Sequence, residues 1–339
     1  MTAVESSDQA EPRRVLLLSH TGRDAARDVT LSFCKALTEH DIVVRMLEEE
    51  ATDLDIEPGT YDPPIELAAG VSDPAAGCEL AVVIGGDGSI LRAAEITWES
   101  GTPVLGVNLG HVGFLAEAEV DDVDDVIAAI VARRWTSEDR LALDVRAFRD
   151  GELVTHTFAL NEASVEKAAR ERMIEVVVEI DNRPLSRWGC DWVVLSTPTG
   201  STAYNFSAGG PVVWPGVEAL LVVPISAHAL FARPMVVAPD SVVAVEVIGR
   251  TDGAGVLWCD GRRAKDLQPG ARVVVRRSSV PVRLARLHES TFTDRLVNKF
   301  RLPVTGWRGP IGREEPMTGT IHLPASTATR HHSDQEGTA

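Results

Sequence analysis

A short apolar strand, a glycine-rich turn and a helix start follow one another within residues 79–95, and this stretch constrains the fold most. The run 80–84 is uninterrupted and rich in β-branched residues, which is typical of a parallel strand buried on both faces. It stops at Gly85-Gly86-Asp87-Gly88, and the apolar spacing from Ser89 onward predicts a helix with one buried face. Ligands of open α/β sheets lie at the carboxyl ends of strands, beside helix N-termini whose free N–H groups favour anions. The sequence therefore predicts that a ligand binds at this turn.

Asp87 is an unexpected residue in such a turn. A carboxylate repels a phosphate placed directly beside it, so Asp87 is predicted to do something other than cradle one. The turn also lacks the spacing of a dinucleotide fingerprint and the Gly-Lys-Ser/Thr ending of a P-loop, which disfavours a Rossmann dehydrogenase and a P-loop kinase. Glycine pairs after buried strands can simply permit a tight turn, so the turn alone leaves the function open.

The first part of the chain has the pattern of alternating strands and helices. Strands are predicted at 13–20, 41–47, 80–84 and 103–107, and helices at 24–40, 89–95 and 120–133. The β-α-β order implies right-handed parallel crossovers, and residues 48–78, which lack a clear period, are expected to form a loop. A second glycine turn, 108–115, follows its strand directly, so we expect the two turns to form two walls of one crevice. Residues 13–139 are thus predicted to be an α/β domain.

The pattern changes near residue 135 to short strands separated by tight turns. Residues 140–288 are predicted to form a β-rich domain, with hairpin turns at 149–152, 181–182 and 260–261. A closing segment, 289–305, contains a helix at 292–300 and is expected to pack back on the first domain. Residues 1–12 and 309–339 are predicted to be disordered. The fold class is therefore an α/β N-terminal domain with an open, mostly parallel sheet, followed by a β-rich C-terminal domain, α+β overall.

Composition excludes several classes of function. The net charge of −17 argues against sequence-independent binding of nucleic acid, which depends on clustered Lys and Arg. Apolar runs stay shorter than the roughly 20 residues that cross a bilayer, so no membrane association is expected. The acidic, polar N-terminus argues against a signal peptide and for the cytoplasm. The four scattered cysteines lack zinc or redox spacing and are expected to be buried, reduced thiols.

The second half of the chain contains three polar segments that could carry chemistry. Asn161-Glu162 ends one strand, and Asp191 precedes another apolar run. Residues 196–211 are dense in hydroxyls, glycine and proline, and they fit a solvated loop as well as a ligand wall that offers amides and hydroxyls. Composition leaves both interpretations of this last segment open.

These segments together resemble the NAD kinases. The resemblance is carried by Gly85-Gly86-Asp87-Gly88, the turn 108–115, Asn161-Glu162, Asp191 and Ser196-Thr197-Pro198-Thr199-Gly200-Ser201-Thr202-Ala203-Tyr204, with further matches at 227–234 and 259–261. It covers about residues 13–305 in order and is similar to actinobacterial members in particular. The resemblance implies a phosphofructokinase-like N-terminal fold. It also implies transfer of the γ-phosphoryl group of ATP, or of phosphate from inorganic polyphosphate, to the 2′-hydroxyl of the adenosine ribose of NAD, giving NADP. A divalent cation, usually Mg²⁺, and a homodimer or homotetramer are implied as well.

The resemblance also assigns roles to individual residues. Asp87 matches the proton acceptor, Asn161 and Glu162 match the pair that holds the ribose and diphosphate region of NAD, and Asp191 matches a carboxylate at its nicotinamide end. The other matched positions bind nucleotide: Gly88, Arg92, Phe114 on the adenine side, Arg172 in a variable loop, and Thr202, Ala203, Tyr204, Asn205, Phe206 and Ser207 in the adenosine-binding turn. No metal ligand is assigned.

Two alternatives compete with this interpretation. A lipid kinase that shares the glycine turn would need an apolar or basic membrane-facing surface, which this acidic chain does not offer. A non-catalytic NAD-binding sensor would be favoured by the loss of Asp87 or Glu162, and both residues are present. Formation of NADP from NAD and ATP separates the three.

Overall fold

Helices accompany the strands mainly in the first part of the chain. The computed structural model describes residues 11–304 except residues 23, 110–112, 120–121, 170–172, 249–253 and 289–290. The helices are α1 Asp24–Thr38, α2 Glu48–Asp53, α3 Asp87–Thr97, α4 Val123–Val131, α5 Tyr204–Ser207 and α6 Phe292–Phe300, with 3₁₀ turns at Pro58–Thr60 and Thr199–Thr202. The strands are β1 Arg14–Ser19, β2 Val43–Leu47, β3 Glu66–Ala68, β4 Leu80–Ile84, β5 Val104–Asn108, β6 Ala118–Glu119, β7 Thr136–Arg140, β8 Leu143–Arg149, β9 Glu152–Ala159, β10 Glu162–Lys167, β11 Ile174–Ile180, β12 Arg183–Cys190, β13 Trp192–Ser196, β14 Leu220–Ile225, β15 Met235–Val237, β16 Val243–Val247, β17 Gly255–Cys259, β18 Arg263–Leu267, β19 Arg272–Arg277 and β20 Val282–Arg286.

The first sheet is mostly parallel and carries helices on both faces. Its order is β3-β2-β1-β4-β5-β20-β7, with β6 beside β5 and β7 antiparallel at the edge. Successive residues of β1 face opposite sides, since Leu17 packs with Phe33 of α1 whereas Leu16 packs with Ile90 of α3. Burial on both faces explains the continuous apolar runs of β1, β4 and β5. The predicted open, mostly parallel sheet is confirmed.

The second part of the chain folds into two antiparallel sheets of six strands each. Their orders are β15-β14-β13-β10-β17-β18 and β12-β11-β16-β19-β8-β9. Both sheets contribute to one apolar core, in which the indole of Trp188 is fully buried. The hairpins at 150–151, 181–182 and 260–261 have positive φ at both turn residues, as the type I′ geometry of two-residue hairpins requires. The predicted β-rich character and its hairpins are confirmed.

Several local predictions need correction. Residues 48–78 contain α2, a 3₁₀ turn and β3, which pairs with β2 and is fastened by ion pairs from Glu66 to Arg14 and Arg45. Because ion pairs hold this strand in place, its sequence shows no hydrophobic alternation from which the strand could be predicted. β20 lies within the segment predicted to be β-rich, 140–288, but it joins the first sheet beside β5. Helix α3 begins at Asp87, two residues before its expected start.

Other predictions concern the cysteines and the ends of the chain. All four cysteines lie among the described residues, and each is buried and free, as expected; burial raises the pKa of Cys34, Cys190 and Cys259 to about 12. Residues 1–10 and the predicted tail 309–339 lie outside the described residues. The described residues up to Arg301 form one packed unit, and residues 302–304 have no regular secondary structure. In the described part of the chain, no helix is long and apolar enough to cross a membrane.

Candidate active site

Asp87 is held by the second glycine turn. It is the first residue of α3, directly after the carboxyl end of β4, and its side chain is partly buried. The backbone N–H of Phe114 donates to Asp87 Oδ2 at 3.1 Å, and that of Leu115 donates to Oδ1 at 3.1 Å. The structure therefore brings the two glycine turns together, as the sequence predicted, and it fixes the orientation of the carboxylate.

Gly113 makes this close approach possible. A Cβ atom at this position would lie 2.4 Å from Asp87 Oδ1 and 3.1 Å from its Cγ. Real Cβ atoms essentially never show contacts shorter than 3.0 Å. A side chain at position 113 would therefore displace either the carboxylate or the turn that holds it.

Arg92 is engaged by carboxylates of α2. It donates to Glu49 Oε1 at 3.0 Å and also to Glu50, whose other oxygen accepts the N–H of Ser19 at 2.9 Å. Burial raises the pKa of Glu50 above its ordinary value, against the opposing effects of Ser19 and Arg92. Arg92 thus joins α3 to the carboxyl end of β1, and about a third of its side chain is exposed. Gly88, in the first turn of α3, is exposed.

Asn161 and Glu162 are positioned by a buried aspartate, Asp260, to which the sequence assigned no role of its own. Asp260 accepts the N–H groups of Leu160 at 3.0 Å, Asn161 at 2.7 Å and Glu162 at 3.3 Å. Its Oδ2 also pairs with Arg263 at 2.7 Å. The signal that could have identified it is an acid in the turn of a predicted hairpin, 260–261. Asp260 therefore sets the backbone that presents the Asn161-Glu162 pair.

Glu162 has an unusual electrostatic environment. It is 7% exposed, and burial, with a smaller contribution from the nearby Asp260, raises its pKa to about 8, although a hydrogen bond from the backbone of Tyr204 opposes the shift. Among the described residues, no partner reaches its Oε2. The side chain is therefore mostly protonated near neutral pH and can both donate and accept a hydrogen bond.

Glu162 and Tyr204 line one cavity of about 400 Å³. Its other lining residues are Ser164, Glu166, Trp258 and Gly261. The Tyr204 hydroxyl bonds to Glu166, and burial followed by the charge of Glu166 raises the pKa of Tyr204 to about 12. Carboxyl and hydroxyl groups thus face this cavity together with two aromatic rings.

The first half of the hydroxyl-rich segment is neither a solvated loop nor an open ligand wall. Residues 196–201 are buried, and their hydroxyls bond to neighbouring backbone: Thr197 Oγ1 donates to the Leu160 carbonyl at 2.6 Å, and Ser196 Oγ donates to the Asn161 carbonyl at 3.0 Å. Gly200 lies so close that a Cβ would sit 2.1 Å from that Asn161 carbonyl oxygen. This half of the segment therefore braces the Asn161-Glu162 strand end.

The second half of the segment is more accessible. Thr202, Ala203 and Tyr204 are partly buried and Phe206 and Ser207 are exposed. Asn205 differs, because it is fully buried and its amide nitrogen donates to the carbonyls of Ser201 and Pro211 at 3.3 and 3.1 Å. Its amide oxygen has no hydrogen-bond partner among the described residues, so the nitrogen shapes the turn while the predicted nucleotide-binding role of Asn205 stays a prediction.

Aromatic side chains connect the two predicted adenosine positions through α6. Phe114 contacts Phe292 and Phe300, with ring centroids 6.0 and 5.8 Å apart, and Phe300 contacts Phe206 at 4.7 Å. Phe114 and Phe206 are thus joined by one aromatic cluster. The sequence predicted that the closing helix packs back on the first domain, but it did not assign Phe292 or Phe300 to the site.

Asp191 pairs with Lys167, whose Nζ lies 2.5 Å from Oδ1, and this hydrogen bond holds the pKa of Asp191 below its usual range. The neighbouring Trp192 stacks on Tyr204 with ring centroids 6.1 Å apart.

Arg172 lies outside the described residues. The residues that the structure describes contain no group of three or more His, Cys, Asp or Glu that could hold a metal ion.

A second, wider cleft contains none of the predicted site residues. It has a volume of about 840 Å³, and its wall carries Asp144 paired with Arg146, His156 and Arg276. Two of its acids are paired with arginines: Asp144 with Arg146 and Arg276, and Glu218 with Arg277. The fixed carboxylate, and not the larger volume, identifies the candidate active site.

The chain matches known proteins over most of its length. Residues 15–135 match the ATP-NAD kinase N-terminal domain, and residues 160–287 match the ATP-NAD kinase C-terminal domain. It is 59% identical to "NAD kinase 2" of Streptomyces coelicolor, over 89% of this chain and 98% of that protein. It is 57% identical to the NAD kinase of Leifsonia xyli subsp. xyli, over 90% of this chain and all of that protein.

Solved structures share the fold. Yeast NADH kinase complexed with NADH superimposes with a TM-score of 0.78 at 24% identity, covering 88% of this chain and 90% of that one. An NAD kinase from Archaeoglobus fulgidus in complex with ATP gives a TM-score of 0.62 at 23% identity, covering 85% and 98%. With both domain matches in order and relatives well above half identical, the chain belongs to the NAD kinase family.

Proposed function

We propose that this NAD kinase transfers the γ-phosphoryl group of ATP to the 2′-hydroxyl of the adenosine ribose of NAD, giving NADP, with Asp87 as the general base. The observation that carries the proposal is the Asp87 carboxylate, which two backbone N–H groups hold at the start of α3. Two structural neighbours support the substrates, since one is an NAD kinase in complex with ATP and the other an NADH kinase in complex with NADH. Inorganic polyphosphate is the alternative donor.

The chemistry needs positioning and a proton acceptor. Phosphoryl transfer depends mainly on alignment and charge neutralisation, and a ribose hydroxyl is a poor nucleophile until its proton has an acceptor. Each Asp87 oxygen uses one lone pair on a backbone N–H and keeps another for the substrate hydroxyl. The glycines around it let the nucleotide approach closely. Asp87 therefore accepts the 2′-hydroxyl proton as the oxygen–phosphorus bond forms and the bond to the departing ADP breaks.

Other residues hold the substrates in this proposal. Neutral Glu162 donates to and accepts from ribose hydroxyls, which suits a diol better than an ionised carboxylate would. Asn161 assists it, and Asp191 lies toward the nicotinamide end. The adenosine side is formed by Phe114, Thr202, Ala203, Tyr204, Phe206 and Ser207, while Gly88, Arg92 and Arg172 contact nucleotide phosphates or their surroundings.

Mg²⁺ is proposed to arrive with the donor. It binds proteins through one or two carboxylates and leaves its other positions to water and substrate phosphates. A cation held by the phosphates of ATP would not require a cluster of protein ligands. Bound there, it would neutralise phosphate charge, and we assign it no further step.

We also propose that the enzyme is cytoplasmic and assembles as a homodimer or homotetramer. Exposed apolar side chains at 230–236 support association, since Leu230 is completely exposed and Phe231 and Val236 are about half exposed. Light scattering of the purified chain measures the assembly directly. A monomeric mass at micromolar concentration would contradict it.

The decisive experiment compares the wild-type protein with Asp87→Asn. With NAD, ATP and Mg²⁺, we expect NADP formation to fall by roughly 10²–10⁴-fold, the usual contribution of a general base, while calorimetry still detects NAD binding. Asp124→Asn, which changes an exposed aspartate in the first turn of α4, is the matched control and should keep its rate. Near-wild-type turnover in Asp87→Asn would exclude Asp87 as the base. NAD binding without turnover in the wild-type protein would identify a sensor, and phosphorylation of diacylglycerol a lipid kinase.

A further inference from the structure

Helix α6 reaches the back of the turn that holds Asp87. Arg295 Nη1 donates to the carbonyl of Phe114 at 2.9 Å and to the carbonyl of Ala116 at 3.1 Å. The N–H groups of Phe114 and Leu115 point the other way, to Asp87. One short stretch of backbone therefore lies between a guanidinium on one side and the proposed base on the other.

A buried carboxylate fixes that guanidinium. Glu117 has a fully buried side chain, and its Oε2 pairs with Arg295 Nη2 at 2.9 Å and with Arg286 Nη1 at 2.9 Å. Arg286 in turn donates to the carbonyl of Leu115 at 3.2 Å. The carbonyls of Phe114, Leu115 and Ala116 are thus all held by arginines that share one anion.

Arg295 is one of the more buried side chains of α6. None of the residues of this helix is fully buried, and its aromatic rings, Phe292 and Phe300, contact Phe114. The side chain of Arg295 is only 12% exposed. A guanidinium presents its donors in a rigid fork, so it can engage two carbonyls and a carboxylate at once, whereas a lysine is a point charge on a flexible stem.

We propose that Arg295 is a positioning residue for Asp87, acting through the backbone of residues 114–116. The inference rests on the proposed function, because it concerns the base of that reaction. Arg295 does not touch the substrate in this scheme. It holds the Phe114 and Leu115 amides where they orient the carboxylate, so the last helix of the packed unit becomes part of the catalytic assembly.

The test is a double-mutant cycle. Arg295→Met keeps an unbranched side chain of similar helix propensity but removes the guanidinium donors, and it is made in the wild-type and in the Asp87→Asn protein. In the wild-type background, we expect kcat to fall roughly 10–100-fold, since a misplacement of about 1 Å costs on this order. KM for NAD and for ATP should change by less than about threefold, because ground-state binding is untouched. In the Asp87→Asn background, Arg295→Met should lower kcat by no more than about twofold, because residues that act as a unit are not additive.

Two further variants make the outcome interpretable. Arg301→Met removes an exposed arginine just after the same helix and should leave kcat unchanged. If Arg295→Met does not fold, Arg295→Lys keeps the charge beside Glu117, so it should fold while its kcat still falls. An equal loss in both Asp87 backgrounds, or wild-type kcat in a folded Arg295 variant, would overturn the proposal. Failure of the proposed function is seen separately, as absence of NADP formation by the wild-type protein.

Discussion

Substitution of Gly113 by alanine is expected to create a steric clash with Asp87, the proposed base. The new Cβ would lie 2.4 Å from Asp87 Oδ1, about 1 Å short of ordinary van der Waals contact, which begins at 3.4 Å. Either Asp87 rotates away or the 113–115 turn retreats, and both movements separate the carboxylate from the Phe114 and Leu115 amides. A displacement of about 1 Å in a catalytic group costs on the order of 100-fold in rate, which corresponds to about 2.7 kcal/mol of activation free energy.

The assay is steady-state formation of NADP with NAD and ATP varied separately. We expect kcat of Gly113→Ala to fall about 100-fold while both KM values stay within about threefold, because the loss concerns the transition state. Gly216→Ala is the matched control, since residue 216 is exposed and a Cβ there would meet nothing within 4 Å. A folded Gly113→Ala enzyme with kcat within about threefold of wild type would refute the argument that the close approach orients Asp87.

Two further predictions concern the Asn161-Glu162 strand end. Because burial raises the pKa of Glu162 from 4.5 to about 8, the native state keeps a proton that the unfolded state loses in this range. The free energy of unfolding should therefore decrease as pH rises from about 5 to 8, by at most about 1.4 kcal/mol per pH unit. Denaturant titrations at several pH values should show a flatter slope for Glu162→Gln than for the wild-type protein. Equal slopes for the two proteins would contradict the raised pKa of Glu162. Asp260→Ala removes the acceptor of three buried N–H groups and should lower the free energy of unfolding by about 3 kcal/mol or more. The control is Asp266→Ala, at an exposed position of the same hairpin, which should change the free energy of unfolding by less than about 0.5 kcal/mol. Equal effects of the two substitutions would refute the role of Asp260.

Local patterns in the sequence predicted much of the architecture. β4 could be recognised because both of its faces are buried, so its apolar run is continuous, and the glycine turn after it marks the strand end. The hairpins at 150–151 and 260–261 could be recognised because their turn residues suit positive φ. Period and turn chemistry are local properties, and each was visible within about ten residues.

Elements held by charge or by distant pairing escaped prediction. β3 is fastened by Glu66 to two arginines, so it has no hydrophobic period. β20 could not be assigned to the first sheet because its pairing with β5 joins residues far apart in the chain. Asn205 matched a binding segment in sequence, and only the structure shows that it is buried and that its amide nitrogen donates to the carbonyls of Ser201 and Pro211.

The sequence by itself determined the family, the two glycine turns and the acid within the first of them, because each of these features is a short run of consecutive residues. Only the tertiary structure decided what holds that acid. The amides that bind Asp87 belong to a turn about 27 residues away, and the arginines behind that turn come from β20 and α6, about 170 to 180 residues further along the chain. Hydrogen bonds of this kind depend on which strands pair and which helix docks, and these contacts form only when the whole chain has packed.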